Sequence, residues 1–555
     1  MPRVHGGHLV MKTLKREGVE HIFGIAAVSI LPLYDACLDE GIRNIDTRHE
    51  ASAVHMADGW ARATGKPGFA TVTSGPGLAN ALTGIITAYE SASPLVVLVS
   101  VTGQAAVQRG ALHDIDQMSL LKPFTKWVAT CYDTKRLPEY ITTALRHAMS
   151  GRPGPTVVQV AGDVLGATVE EDEVWYPKGY RNTARARGDA EQVRAAAELL
   201  AQAQRPVVIA GSGVWWSQAG KELQELIEVG EFPLVLAEMG RGAVPEDHPL
   251  CFGPNRVGVR QADVVLIMGT RLNYQLNFGQ PPLFDPGVKV IQVDILPEEI
   301  GRNRNIDVGI HGDAKAVLEQ LTTELRPKVK KGKTAGWVKE CQEYARNRRQ
   351  EMEPDIASDA TPIHPLRLCK EIADVLDRNA TVVTDGGEIT VFGPQLLRVH
   401  EPGHWMDNGP FGCLGVGTSF AIAAKLAHPR EQVLLLSGDG AFGFNSMEFD
   451  TAVRHDIPFV CVISDNGWWA MESHPQEDRY GKDRMIGTKM GTRPYHKMVE
   501  GLGGHGEYVE RPQDLRPALQ RAFASGKPAC VNVVTDVSVV PGRRARRQQA
   551  VAAVH

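Results

Sequence analysis

Residues 433–469 read VLLLSGDGAFGFNSMEFDTAVRHDIPFVCVISDNGWW, and this stretch decides the fold. An apolar run ends in the polar glycine turn Ser437-Gly438-Asp439-Gly440. An apolar-periodic segment around MEFDTAVRH follows, and Pro458 opens a second apolar run. Strand, tight turn, helix and strand in that order form a βαβ crossover, which joins parallel neighbours in a sheet covered by helices on both faces. The same plan occurs twice more. Residues 71–100 run TVTSGPGLANALTGIITAYESASPLVVLVS, and residues 206–238 carry PVVIAGSG, a helical AGKELQELIEV and PLVLAE. The turn serine precedes the proline of the second strand by 20 residues in the first copy (Ser74, Pro94) and by 21 in the others (Ser212, Pro233; Ser437, Pro458). Matched spacing of this kind marks a repeated unit. The expected fold is α/β, three doubly wound domains with mostly parallel sheets, and ligands are expected at the carboxyl ends of the strands, where the glycine turns lie.

Composition agrees with this reading. The 555 residues are 43% hydrophobic and 23% charged, with 60 basic against 65 acidic side chains, which excludes a disordered, collagen-like or disulfide-built chain. Polar, basic stretches at 176–188 and in RPKVKKGKTAG from Arg326 read as linkers, placing domains at 1–170, 190–325 and 360–540, with a basic tail at 541–555. No apolar run approaches the roughly 18 residues of a membrane span and no signal-peptide core is present, so a cytoplasmic protein without a membrane partner is expected. The eight cysteines are scattered without a C-x-x-C pair and read as buried, reduced thiols. A formal net charge of −5 gives no overall basic field for nucleic acid.

The third unit carries the most specific chemistry. Asp439 follows one strand, and Asp465-Asn466-Gly467-Trp468 follows the next, 27 residues from Asp439 to Asn466. A carboxylate, an amide oxygen and a nearby carbonyl make a hard oxygen site of the kind Mg²⁺ takes, with phosphates and water completing the octahedron. The flanking Gly438 and Gly440 let backbone N–H groups approach a phosphate. Alone, the Asp-Gly pair is equally a plain turn.

The two turns at this spacing resemble the thiamine diphosphate motif of the pyruvate decarboxylase and acetohydroxyacid synthase superfamily, with Asp465 where the family carries an asparagine. That resemblance runs from GGHLVMKTLKREGVEHIFG to SGKPACVNVVTD and implies a thiamine diphosphate-binding fold. It implies that Asp439, Asn466 and the Trp468 carbonyl hold Mg²⁺. It further implies that Gly387, Glu388 and Ile389, with Gly412, Gly438, Gly440, Ala441, Trp469 and Ala470, surround the cofactor. Glu50, in Thr47-Arg48-His49-Glu50 about two dozen residues before SGPGLAN, matches the glutamate that activates the aminopyrimidine, and Asn80 closes the latter motif. By itself Glu50 also reads as a first-turn glutamate facing a helix dipole. Leu414, in Gly412-Cys413-Leu414-Gly415, matches the aliphatic side chain that folds the cofactor. In the superfamily the first domain of one subunit faces the third domain of its partner, so a homodimer or homotetramer with inter-subunit active sites is implied.

The middle segment GTRLNYQLNFGQPPLFDPGVKVIQVDILPEEIG most resembles 2-hydroxyacyl-CoA lyases and oxalyl-CoA decarboxylases, while the third domain resembles an actinobacterial acetolactate synthase-like group. No flavin signature stands in the central segment, so FAD is not expected there; a nucleotide or CoA is left open. The substrate loops depart from every branch: Leu112-His113-Asp114 replaces Phe-Gln-Glu or Tyr-Glu-Glu, and Phe23–Ser29 lacks the Pro-Gly pair of relatives. Histidine is a residue type suited to moving protons in a cleft, and His113 is read in that role with Asp114 as its orienting partner; the alternative is a surface histidine beside an N-capping aspartate. Ser29, Trp469 and Met471 are candidate substrate contacts, although the tryptophans equally suit an interface. Arg543 and Arg544 in the tail would suit phosphate capture by a lid over acyl-CoA, against a solvated basic tail. The expected activity is that of a thiamine diphosphate- and Mg²⁺-dependent lyase or carboligase on a small-molecule substrate, first a 2-hydroxyacyl-CoA lyase and next an acetolactate synthase-like or benzoin-type carboligase. A non-catalytic scaffold on the same fold is the rival, opposed by the joint presence of Glu50, Leu414, Asp439 and Asn466.

Overall fold

The computed structural model describes residues 3–541. Three separate sheets carry the fold, and the expected α/β architecture holds in each. The N-terminal sheet has six parallel strands in the order Arg43–Asp46, His21–Gly24, Gly68–Val72, Leu95–Val101, Pro155–Ala161 and Trp127–Cys131. The central sheet has five, with Pro206–Ala210 between Leu234–Leu236 and Val264–Met268, then Lys289–Asp294 and Val308–His311. The C-terminal sheet again has six, with Val433–Gly438 between Thr381–Asp385 and Val460–Asp465. The inner strands, Val-, Ile- and Leu-rich, are buried along their lengths, as a sheet covered on both faces requires.

All three anticipated βαβ units form, but their crossovers differ. In the first, Pro76–Glu90 is one continuous helix, entered through Gly75 at φ +64°, a left-handed conformation that glycine adopts without strain. In the third, the crossover is broken into Asp439–Asn445 and Glu448–Arg454. The basic linker after Arg326 runs into an unanticipated 22-residue helix, Ala335–Ile356, tied down by Trp337, whose indole N–H donates to the Pro206 carbonyl at 3.0 Å.

Two compact units result. The first takes in the chain up to Ala186 and the segment Gly409–Ala427; the second takes in the remaining described residues. The segment Gly409–Ala427, with Gly412 and Leu414, thus groups with the first unit. The helix Gly417–Ala427 lies against Glu50–Thr64 at Gly59, where an added Cβ would come within 3.0 Å of both Ala423 and Phe420. Phe420 also carries the guanidinium of Arg62, 4.6 Å from its ring centroid and paired with buried Asp58 at 2.8 Å. All eight cysteines are free thiols and seven are buried; Cys413 is the partly exposed exception. Among the described residues no helix is long and apolar enough to cross a membrane.

Candidate active site

In the first unit the polar residues gather at the carboxyl ends of Gly68–Val72 and Leu95–Val101. Glu50 is the first residue of the helix Glu50–Thr64, whose N-terminus is capped by the His49 ring accepting from the Ala51 N–H at 3.1 Å. The Glu50 carboxylate is partly exposed and accepts from the Asn80 amide at 3.0 Å. Its other oxygen lies 3.6 Å from where a Cβ on Gly77 would stand. The structure thus brings Glu50 and Asn80, 30 residues apart, into one bonded pair.

Beside them runs a chain of hydroxyls. Ser29 donates to Ser100 at 2.8 Å and lies 3.3 Å from the Thr73 hydroxyl, and Ser100 accepts the Ser74 N–H at 2.8 Å. Gln117, unremarked in the sequence, is the brace beneath the turn: buried, it accepts the Gly75 N–H at 2.8 Å and donates to the Ser100 carbonyl at 3.0 Å. Its only sequence signal is a polar residue facing inward four positions after His113. His113 itself sits over this turn at φ +63°, its Nδ1 3.4 Å from the Ser74 hydroxyl and its Cβ 2.8 Å from where a Cβ on Gly75 would stand. The Asp114 N–H bonds to the Ala111 carbonyl at 3.2 Å, and the N-capping aspartate of this loop is Asp116. Leu414 lies in the same unit, partly exposed, between Gly412 at φ +70° and Gly415 at φ +85°.

In the second unit the site is one of buried carboxylates. Asp439 opens its helix, is 3% exposed, and accepts the Gly467 N–H at 3.1 Å. Burial, and then the nearby Asp465 charge, push its pKa up to about 7. Asp465 is fully buried and its pKa is also raised by burial; one oxygen accepts from the Asn532 amide at 3.1 Å and from the Arg493 N–H at 3.2 Å. Its other oxygen, Oδ1, has no hydrogen-bond partner. The Asn466 side-chain oxygen accepts the Trp468 N–H at 2.9 Å and holds the loop in a tight turn. Two buried carboxylates, an orphaned oxygen and a side-chain amide oxygen are the donor chemistry a hard dication satisfies. The residues expected to hold Mg²⁺ fit it, and Asp465, a departure from the family pattern, adds a second negative charge at the same place.

Close glycine contacts shape the surroundings. A Cβ on Gly386 would lie 3.1 Å from the Gly438 nitrogen, one on Gly440 would fall 2.4 Å from the Trp469 ring, and one on Gly387 would fall 2.6 Å from Met471. Trp469 therefore lies flat on the Gly440 turn, edge-on to Phe444 at 6.2 Å, while Met471 is half exposed over Gly387. Trp468 lies within 5.7 Å of the Lys489 ammonium. Ala441 and Ala470 are small, buried residues in the first turns of their helices. Ile389 is buried, its Cγ2 3.4 Å from where a Cβ on Gly386 would stand and 3.9 Å from one on Gly438. Glu388 is also turned in, its carboxylate 2.9 Å from His474 Nε2, with both side chains nearly enclosed. His474 carried no motif and was missed; it lies one turn beyond Met471 on the helix Ala470–Tyr480. Arg543 and Arg544, the expected phosphate contacts of the tail, lie outside the described residues.

At the corresponding turn of the central sheet, Gly211 and Gly213 crowd the Gly269 loop, and Ser212 bonds to Glu238 at 2.9 Å; the paired carboxylates of the third unit have no counterpart there among the described residues.

Each of the two units thus carries a polar cluster at the carboxyl ends of parallel strands, one a carboxylate with neutral donors and the other a group of buried oxygens, the kind of place where α/β enzymes bind ligands. Family models match in three places: the N-terminal thiamine pyrophosphate-binding domain at residues 4–120, the central domain at 193–321 and the C-terminal thiamine pyrophosphate-binding domain at 385–533. The chain belongs to the thiamine pyrophosphate enzymes. An acetolactate synthase large subunit of Mycobacterium tuberculosis is 39% identical over 557 residues, covering 98% of this chain and 97% of the relative. The 2-hydroxyacyl-CoA lyase of Arabidopsis thaliana is 33% identical over 550 residues, covering 96% of each chain, and human 2-hydroxyacyl-CoA lyase 1 is 29% identical over 548.

Proposed function

We propose that the protein is a thiamine diphosphate- and Mg²⁺-dependent enzyme that cleaves or forms a carbon–carbon bond beside a carbonyl, working as a 2-hydroxyacyl-CoA lyase. The observation that carries the class is the pairing of Glu50 with Asn80 in one unit and of Asp439 with the Asp465-Asn466 turn in the other. When bound, thiamine diphosphate supplies a nucleophilic ring carbon and an electron sink. Glu50 holds and returns the proton at the pyrimidine, with Asn80 fixing the orientation of its carboxylate. Leu414 would supply an apolar support for the bound cofactor. Asp439, Asn466 and the Trp468 carbonyl hold Mg²⁺, and the Gly386–Gly438 contact keeps that end of the cleft narrow.

His113, anchored at the Ser74 hydroxyl, moves protons at the substrate, and Ser29 presents its hydroxyl to the same space. Trp469 and Met471 form the apolar wall for the acyl group. Active sites built between two subunits follow from the family resemblance, giving a homodimer or a homotetramer. Near-full-length likeness to plant lyases supports the acyl-CoA substrate, as does the run of arginines from Arg543. The second reading, an acetolactate synthase-type carboligase on free 2-oxo acids, is favoured by the 39% identity to the mycobacterial synthase subunit. Product analysis separates them: formyl-CoA and an aldehyde released from 2-hydroxyacyl-CoA esters support the lyase, whereas acetolactate from pyruvate with inert CoA esters replaces it with the second reading.

A further inference from the structure

Away from both half-sites, two packed helices of the first unit bring together a cluster of nitrogen and oxygen donors. His5 precedes the helix Gly6–Arg16 and His8 lies in its first turn; Asp35 and Asp39 stand one turn apart on Leu31–Glu40, against which the first helix packs. His5 Nε2 is 3.1 Å from Asp35 Oδ2, and His8 Nε2 is 2.8 Å from Asp39 Oδ2. The two imidazoles are in contact, 4.1 Å between centroids and edge-on at 61°. One ligating atom from each of His5, His8 and Asp35 lies within 4.8 Å of the other two. The histidine side chains are 20% and 17% exposed and the two carboxylates 68% and 67%, so shielded nitrogens stand behind oxygens open to solvent.

We propose that His5, His8 and Asp35, with Asp39 as a further oxygen donor, form a site for a divalent transition metal of the zinc type. Two neutral imidazoles and two carboxylates carry a charge of −2, which one dication cancels. The alternative occupant is a pair of protons, one on each ring, and it places two like charges on imidazoles in contact. A spacing of four residues puts Asp35 and Asp39 on one face of their helix, His8 follows the N-capping His5 by three residues, and packing of the two helices sets the distances between the pairs. The ligand type also selects the ion: imidazole nitrogen suits zinc, cobalt and nickel, whereas Mg²⁺ keeps to oxygen, so the all-oxygen site at Asp439 and this one take different metals. A bound ion would clamp the helix Leu31–Glu40, whose N-terminus adjoins the Ser29 loop, to the helix Gly6–Arg16.

The test uses holoenzyme saturated with thiamine diphosphate and Mg²⁺, titrated with Co²⁺ and followed by visible d–d absorption and calorimetry, then displaced with Zn²⁺. One Co²⁺ per chain is expected, displaced by Zn²⁺, with a higher melting temperature for the loaded protein. His8→Gln and Asp35→Asn should each weaken Co²⁺ binding at least about tenfold, since even outer-shell partners of a metal cost that much. Their melting temperatures without Co²⁺ and their basal turnover should match those of the unaltered protein; Asp35 is exposed, so its variant keeps the fold. Asp439→Asn should leave the Co²⁺ absorption in place. The proposal is overturned if the unaltered holoenzyme shows no saturable Co²⁺ binding, if both variants bind as tightly as it does, or if only Asp439→Asn abolishes the signal.

Discussion

The turn after Gly68–Val72 and the turn after Val433–Gly438 occupy the same place in the same βαβ unit, yet they present opposite chemistry. The first is a shelf of hydroxyls and amides, Thr73, Ser74, Ser100, Gln117 and Asn80, with Glu50 as its partly exposed carboxylate. The second buries two carboxylates side by side and leaves one of their oxygens without a partner. The backbone plan fixes where ligands bind, at the carboxyl ends of the strands. The side chains decide what binds: a neutral heterocycle that trades a proton suits the first turn, and a charged diphosphate with its metal suits the second. The crossovers reflect this division. The first runs on as a single helix, while the third breaks after Asn445, where Phe444 packs edge-on against Trp469.

The contrast can be broken at either turn. Glu50→Gln should cut turnover about 10²–10⁴-fold, the usual range for a lost proton carrier, with thiamine diphosphate binding retained by calorimetry. Loss of cofactor binding together with activity would make Glu50 a structural residue. His113→Ala, on the same shelf, should cost on the order of 10²-fold in turnover with the cofactor still bound; unchanged turnover would remove its role. At the second turn the signature should be reversed. Asp439→Asn should weaken binding of the Mg²⁺–thiamine diphosphate pair by about 10–100-fold, measured by calorimetry.

Asp439 also predicts a pH dependence. Burial raises its folded pKa to about 7 against an ordinary 3.8, so in metal-free protein the folded state holds a proton that the unfolded state has lost. Its contribution to stability is fully present below about pH 4 and is lost as pH rises through 7. Mg²⁺ competes with that proton, so the rise in melting temperature on adding Mg²⁺ should be larger at pH 8 than at pH 6. The smallest effect expected is at the Glu388–His474 contact. His474→Ala should cost about 1–3 kcal/mol of stability, because it leaves an enclosed carboxylate without its partner, and Glu388→Gln in the same chain should recover part of the loss.

What could be read in the sequence follows the same division. Periodicity and the serine-to-proline spacing gave all three βαβ units, because apolar runs and glycine turns are local signals. Glu50, Asn80, Asp439 and Asn466 were singled out through the resemblance to the family's motifs, whose residues stand close together in the chain. Gln117 and His474 were not, since each acts on a turn that only tertiary folding brings near: Gln117 braces Gly75, 42 residues away, and His474 meets Glu388 from another element. The contact of His113 with Ser74 was not legible either. The left-handed backbone at His113 turns its ring toward Ser74. The packing of the helix Gly417–Ala427 against Glu50–Thr64 was invisible because it rests on the fit of Phe420 and Ala423 against Gly59, far apart in the chain.

In the proposed function the two turns are halves of one catalytic site contributed by two subunits. Coexpression of Glu50→Gln and Asp439→Asn chains at equal levels, assayed at a cofactor concentration too low to load the Asp439→Asn chain alone, tests this most directly. Half of the catalytic dimers are then hybrids, and each hybrid holds one site with both residues intact, so about a quarter of the unaltered turnover is predicted. Activity no higher than that of either parent, from dimers shown to be mixed, would contradict it.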